Sequence, residues 1–123
     1  MKQFIFFALL YTSTYAAIHI LTEKEDHATL HVSFNDLIKI QLRTNPSTGY
    51  AWNIEYPTDT FSLSQDTIKA EPHPSGMVGF PSIREIQLKP LKVGTTTIKL
   101  GYSRPWEKGK EPLRSLTYTV VIR

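Results

Sequence analysis

The chain contains no cysteine. That excludes a disulfide framework, a thiolate nucleophile and any cysteine-based zinc or iron–sulfur site. Charge of one sign is also scarce. Fourteen Lys and Arg stand against eleven Asp and Glu, a formal +3, and no basic run exceeds two residues. So small and scattered an excess gives no footprint for nucleic-acid binding. Long apolar runs are missing too, and the one near the start is too short for the roughly 20 residues that a membrane helix needs. What remains is 123 residues, 41% hydrophobic and 20% charged. This is the composition of one globular domain rather than a disordered chain.

Residues 1–16, MKQFIFFALLYTSTYA, have the layout of a secretory signal peptide. Lys2 gives a positive start, Phe4 to Leu10 an apolar centre, and small residues follow. Thr14 and Ala16 occupy the −3 and −1 positions of a cleavage site before Ala17. The competing reading is a buried N-terminal strand. Cleavage would remove 16 of 123 residues and leave 107, Ala17 to Arg123, with Lys2 lost and a charge of +2. No retention or lipid-anchor motif follows. The expected location is the secretory pathway, an endosomal or lysosomal vesicle, or the extracellular space, and the expected state is a monomer.

The rest reads as strands and turns. Leu30, Val32 and Phe34 alternate with Thr29, His31 and Ser33. Ile38, Ile40 and Leu42 alternate with Lys39, Gln41 and Arg43. Tyr50, Trp52 and Ile54 share a face; Phe61 and Leu63 make a weaker pair. Ile86 and Leu88, then Thr96, Ile98, Leu100 and Tyr102, then Leu116, Tyr118, Val120 and Ile122 complete the pattern. IHIL at 18–21 adds an edge strand. No segment carries a helical period, and eight prolines interrupt the chain. Seven to eight short strands in this length predict an all-β fold, an immunoglobulin-like antiparallel β-sandwich, with a Greek-key barrel as runner-up. Period-two alternation buries one face of each sheet. Trp52 would pack centrally.

Three irregular segments interrupt the strands: 44–49 (TNPSTG), 70–83 (AEPHPSGMVGFPSI) and 103–113 (SRPWEKGKEPL). Enzyme readings find little support in them. There is no G-x-S-x-G elbow, and His19, His27, His31 and His73 show no metal-binding spacing. His31 lies on a polar strand face as a solvated imidazole. The carboxylates are dispersed, no phosphate-binding glycine loop occurs, and no metal or other cofactor is implied.

The same loops suit binding. In Asn45-Pro46-Ser47-Thr48-Gly49-Tyr50, Pro46 fixes its own φ and holds Asn45 extended. Gly49 permits positive φ, and Asn45 and Thr48 can bond the local backbone. So constrained a loop loses little entropy on docking. The plain alternative is an ordinary connecting turn. Pro46 also disables the apparent glycosylation sequon at Asn45. In the third segment, Arg104, Pro105 and Trp106 follow a strand directly. Arg and Trp are frequent interface anchors, but Trp106 has two readings, a lid on the core or an outward anchor. In the middle segment, Gly76 and Gly79 flank Met77 and Val78, with Phe80 beyond. They read either as a flexible loop tethered by Phe80 or as an adaptable apolar contact, with Met77 fitting irregular surfaces.

An NP-[ST]-T-G-[YF] loop, a glycine-containing middle loop and an RPW loop, in this order between strands, resemble the chagasin family of inhibitors of papain-like cysteine peptidases. The similarity covers the chain from ATLHV to the last strand. Two departures stand out. Ser47 replaces the usual Thr, and Gly76-Met77-Val78-Gly79 replaces the usual Gly-x-Gly-Gly. The resemblance implies an immunoglobulin-like sandwich with three loops side by side, forming a wedge that enters the peptidase cleft. The NPSTG tip would cover the catalytic cysteine. The RPW loop would lie on the primed side, and the middle loop, including Phe80, would cover non-primed subsites. Inhibition would be reversible and non-covalent. A secreted adhesion or carbohydrate-binding module, using aromatics on a sheet face, is the alternative function. A small hydrolase dependent on His31 or His73 is the third.

Overall fold

The computed structural model describes residues 16–71 and 81–123. They form eight strands, β1 (Ile18–Leu21), β2 (Thr29–Val32), β3 (Leu37–Thr44), β4 (Ala51–Glu55), β5 (Phe61–Ala70), β6 (Ser82–Pro90), β7 (Gly94–Ser103) and β8 (Arg114–Ile122). Two 3-10 turns, Glu23–Glu25 and Pro46–Thr48, complete the regular structure, and no α-helix occurs among the described residues. One sheet has the order β1-β3-β6-β5, the other β2-β8-β7-β4.

The alternating apolar positions meet between the sheets. Ile38, Ile40, Leu42, Ile86 and Leu88 from the first sheet are buried with Ile98, Leu100, Leu116, Tyr118, Val120 and Ile122 from the second. Each such aliphatic side chain stabilises the fold by roughly 1.5–3 kcal/mol relative to exposure. Trp52 joins this core. Tyr118 is fully buried, its hydroxyl donates to the Thr22 carbonyl at 2.7 Å, and burial pushes its phenol well up.

Four differences from the alternation pattern have local causes. The sandwich is antiparallel through its hairpins, but β1 pairs with β3 and β2 with β8 in parallel. Strands β1, β2 and β3 switch sheets at each step. No tight hairpin therefore joins these partners, and antiparallel pairing is not imposed. Phe34 is exposed rather than inward, because β2 ends at Val32 and a turn closed by Asp36 N–H on Ser33 O takes over. Leu63 is exposed because β5 is a sheet edge whose register shifts between Leu63 and Gln65. Finally, β5 runs to Ala70 and β6 starts at Ser82, so Ala70, Ser82 and Ile83 at the two ends of the expected 70–83 loop are ladder.

Candidate functional site

The register brings three connections to one end of the sandwich. Thr44, where β3 ends, pairs with Ser82, where β6 begins, and Ser82 pairs with Ala70, where β5 ends. In the other sheet Ala51 pairs with Ser103 and Tyr102 with Arg114. The β3–β4, β5–β6 and β7–β8 connections therefore emerge together. Gly76, Met77, Val78, Gly79, Phe80 and His73 lie outside the described residues; only the stems of their loop are placed.

The first loop is a bonded unit. Asn45 caps the 3-10 turn, its side-chain oxygen accepting from the Ser47 N–H at 3.3 Å and the Ser47 hydroxyl at 2.7 Å. Thr48 Oγ1 donates to the Asn45 carbonyl at 2.7 Å and accepts from the Tyr50 N–H at 3.3 Å. The backbone N–H groups of Thr48 and Gly49 bond Asn45 O and Pro46 O, both at 3.1 Å. Gly49 closes the turn in the left-handed region at φ 82°. Pro46, Ser47 and Thr48 stay exposed. The Ser47 hydroxyl thus makes the inward bond, which needs no methyl.

Trp106 settles between its two readings: it is 66% exposed. Its indole lies against Gly49, so closely that a Cβ there would collide with the ring. The first and third loops are therefore propped on each other. Arg104 fills the space beside them. Its guanidinium carbon lies 4.4 Å from the Tyr50 ring centroid and 5.9 Å from that of Trp106, and its Nε donates to the Thr48 carbonyl at 3.1 Å. Glu107 bonds back to the Arg104 carbonyl through its N–H and faces the guanidinium at 3.6 Å. Pro105 is exposed at the turn.

A ladder of rings supports this tip. Tyr50 stacks on Tyr102 at 5.2 Å, and Tyr102 lies 4.8 Å from buried Trp52. The Tyr102 hydroxyl accepts from the Asn45 N–H at 3.4 Å, and Trp52 Nε1 donates to Arg43 O at 3.0 Å. Tyr102, Trp52 and Glu107 were not singled out as site residues by sequence. The inward phase of Trp52 and Tyr102 on adjacent strands was the available signal.

The tip carries apolar rings, the Arg104 guanidinium beside them and ordered backbone. The displaced acidities lie elsewhere. The Ser33 N–H, then His19, holds Asp36 below the usual carboxylate range, and the Gln41 and Gln87 amides do so for Glu85. Among the described residues no group of three or more potential ligands is placed to hold a metal. His31 is exposed, as its strand face predicts.

Comparison with known proteins matches this construction. The profile described as chagasin family peptidase inhibitor I42 matches residues 31–121. Amoebiasin-2 of Entamoeba histolytica is 98% identical over 123 residues, all of both chains. Chagasin of Trypanosoma cruzi is 33% identical over 91 residues, 72% of this chain and 83% of the relative. Among solved structures, a crystal structure described as the cysteine protease inhibitor EhICP2 from Entamoeba histolytica superposes with a TM-score of 0.82 at 98% identity. It covers 87% of this chain and 96% of that one. The chain belongs to the chagasin family of peptidase inhibitors and is not an enzyme.

Proposed function

We propose that the chain inhibits papain-like cysteine peptidases reversibly and without a covalent bond, by seating its three-loop end in the active-site cleft. The observation that carries this reading is the preformed tip: Trp106 stands exposed yet braced on Gly49, with Arg104 held between Tyr50 and the indole. Preorganised loops pay little ordering entropy on docking. A wedge of this kind can bury about 800 Å² per partner, the usual size for protease–inhibitor contacts. The description of the 98% identical structure as a cysteine protease inhibitor supports the peptidase class. The contacts are assigned to Asn45–Tyr50 and Arg104–Trp106, and to 76–80 by the family resemblance.

The lack of cysteine suits such a partner, since a free thiol beside a reactive thiolate invites exchange. We place the mature chain at 17–123, in the secretory route, an endosomal or lysosomal vesicle, or outside the cell. In support, β1 starts at Ile18, just past the proposed cut, and the bonds before it are those of Ala17 O with the Leu37 N–H and of the Ala16 N–H with Asn35 O. A carbohydrate module would need aromatics on a sheet face. Among the described residues the exposed aromatics are Phe34 and Trp106, both in connections.

Titration of papain or a cathepsin-L-type enzyme with the mature chain tests the proposal. Activity should fall stoichiometrically while the inhibitor stays uncleaved. Full activity at micromolar inhibitor would contradict it.

A further inference from the structure

Arg84 is a cation at a position built for an apolar side chain. On β6 it precedes Ile86 and Leu88 in the inward phase, and it pairs across the sheet with buried Leu42. Its side chain is only 16% exposed. All three guanidinium nitrogens donate. Nε and one terminal nitrogen donate to the two carboxylate oxygens of Asp66 on β5, at 2.9 and 2.8 Å. The other terminal nitrogen donates to the Trp52 carbonyl on β4. Because β4 belongs to the opposite sheet, Arg84 bolts the two sheets together at the loop-bearing end. A planar fork reaches three acceptors at once; an ammonium cannot reproduce that geometry.

The bolt meets the tip through Trp52. Its backbone is held by Arg84 and its indole by the Arg43 carbonyl. Arg43 lies two residues before Asn45, and Trp52 lies two residues after Tyr50. Thus both stems of the NPSTG loop are referenced to one residue. Trp52 also supports Tyr102, Tyr50 and Arg104 in turn. On the other side, Arg84 sits two residues into β6, at the stem of the middle loop.

We propose that Arg84, with Asp66, is a positioning residue for inhibition, fixing the β6 stem at Ser82 against the stems of the NPSTG loop. This rests on the peptidase-inhibitor reading above. Arg84 touches no part of the proposed contact surface and acts through Trp52. Removing it leaves Asp66 and the Trp52 carbonyl without their shared donor, and the tip then has to be ordered during binding.

The test compares the wild-type mature chain with Arg84→Met, Arg84→Lys and Asp66→Asn. A core variant at the far end, Ile122→Val, serves as a stability control. Three quantities are read: the inhibition constant for papain, Tm, and amide exchange of Thr48 and Gly49 in the free protein. We expect Arg84→Met to raise the inhibition constant about tenfold or more and to speed exchange at both amides. Arg84→Lys and Asp66→Asn should fall between it and wild type, and they carry the test if the Met variant does not fold. Ile122→Val should lower Tm without either effect. An inhibition constant and tip exchange within about twofold of wild type in the folded Arg84 variants would overturn the proposal. So would shifts no larger than those of the control. If wild type itself fails to inhibit, the functional reading falls, while the exchange data still decide whether Arg84 orders the tip.

Discussion

Gly49 carries two constraints at once. Its φ of 82° is costly for other residues, and the Trp106 ring occupies the space that a Cβ would take. Gly49→Ala should cost about 1 kcal/mol in stability from backbone strain. It should also weaken inhibition by displacing the indole. Trp106→Ala should leave Tm nearly unchanged, because the ring is mostly exposed, yet weaken inhibition by about 2 kcal/mol, as an aromatic anchor does. Thermal melts and inhibition constants of both variants check this contrast. The glycine's turn was legible in NPSTG, since few other residues close such a turn. The position of Trp106 was not, because a residue after a strand can fold inward or outward. The deciding contact joins positions 49 and 106, and no local pattern encodes it.

The strands were legible wherever one face is buried along the whole element. β8 alternates through Leu116, Tyr118, Val120 and Ile122, and β3 does so from Ile38 through Ile40 and Leu42, with Leu37 at its start buried out of phase. The pattern failed at ends and edges, at Phe34 and Leu63, where a turn and a bulge override the period. The parallel pairing of β2 with β8 joins segments from opposite ends of the chain. Periodicity reports a strand's buried face, not its neighbour.

The turn between β2 and β3 has its own electrostatic fastening. Buried Asp36 accepts from the Ser33 N–H at 2.9 Å and contacts His19 Nε2 on β1 at 2.8 Å. These partners, the Ser33 N–H first and His19 second, lower its pKa relative to an unfolded chain. The stabilisation is therefore present above the ordinary carboxylate range and is lost as pH falls through the folded value. Asp36→Asn should be less stable than wild type near neutral pH, and the gap should narrow on acidification. Urea midpoints at about pH 7 and about pH 3 measure it. A gap that stayed constant would remove Asp36 from the acid response.

For the whole molecule, a fold without cysteine is held by the apolar layer between two sheets, and the β3–β4, β5–β6 and β7–β8 connections meet at one end. The family and the three-loop order were legible as motifs in sequence. Their convergence was expected from the family resemblance and not from periodicity, because it depends on the rows Thr44–Ser82–Ala70 and Ala51–Ser103 lying at the same end. The aromatic ladder and the Arg84 bolt make that end rigid. The proposed function therefore assigns inhibition to the tip and not to the sheet faces. The inhibition constant of Thr48→Glu, set beside Thr97→Glu on the exposed face of β7, tests this most directly. Thr48→Glu should weaken inhibition of a papain-like peptidase by about a hundredfold or more, while Thr97→Glu leaves it unchanged. Equal inhibition by a folded Thr48→Glu variant would contradict a tip-first mode of binding.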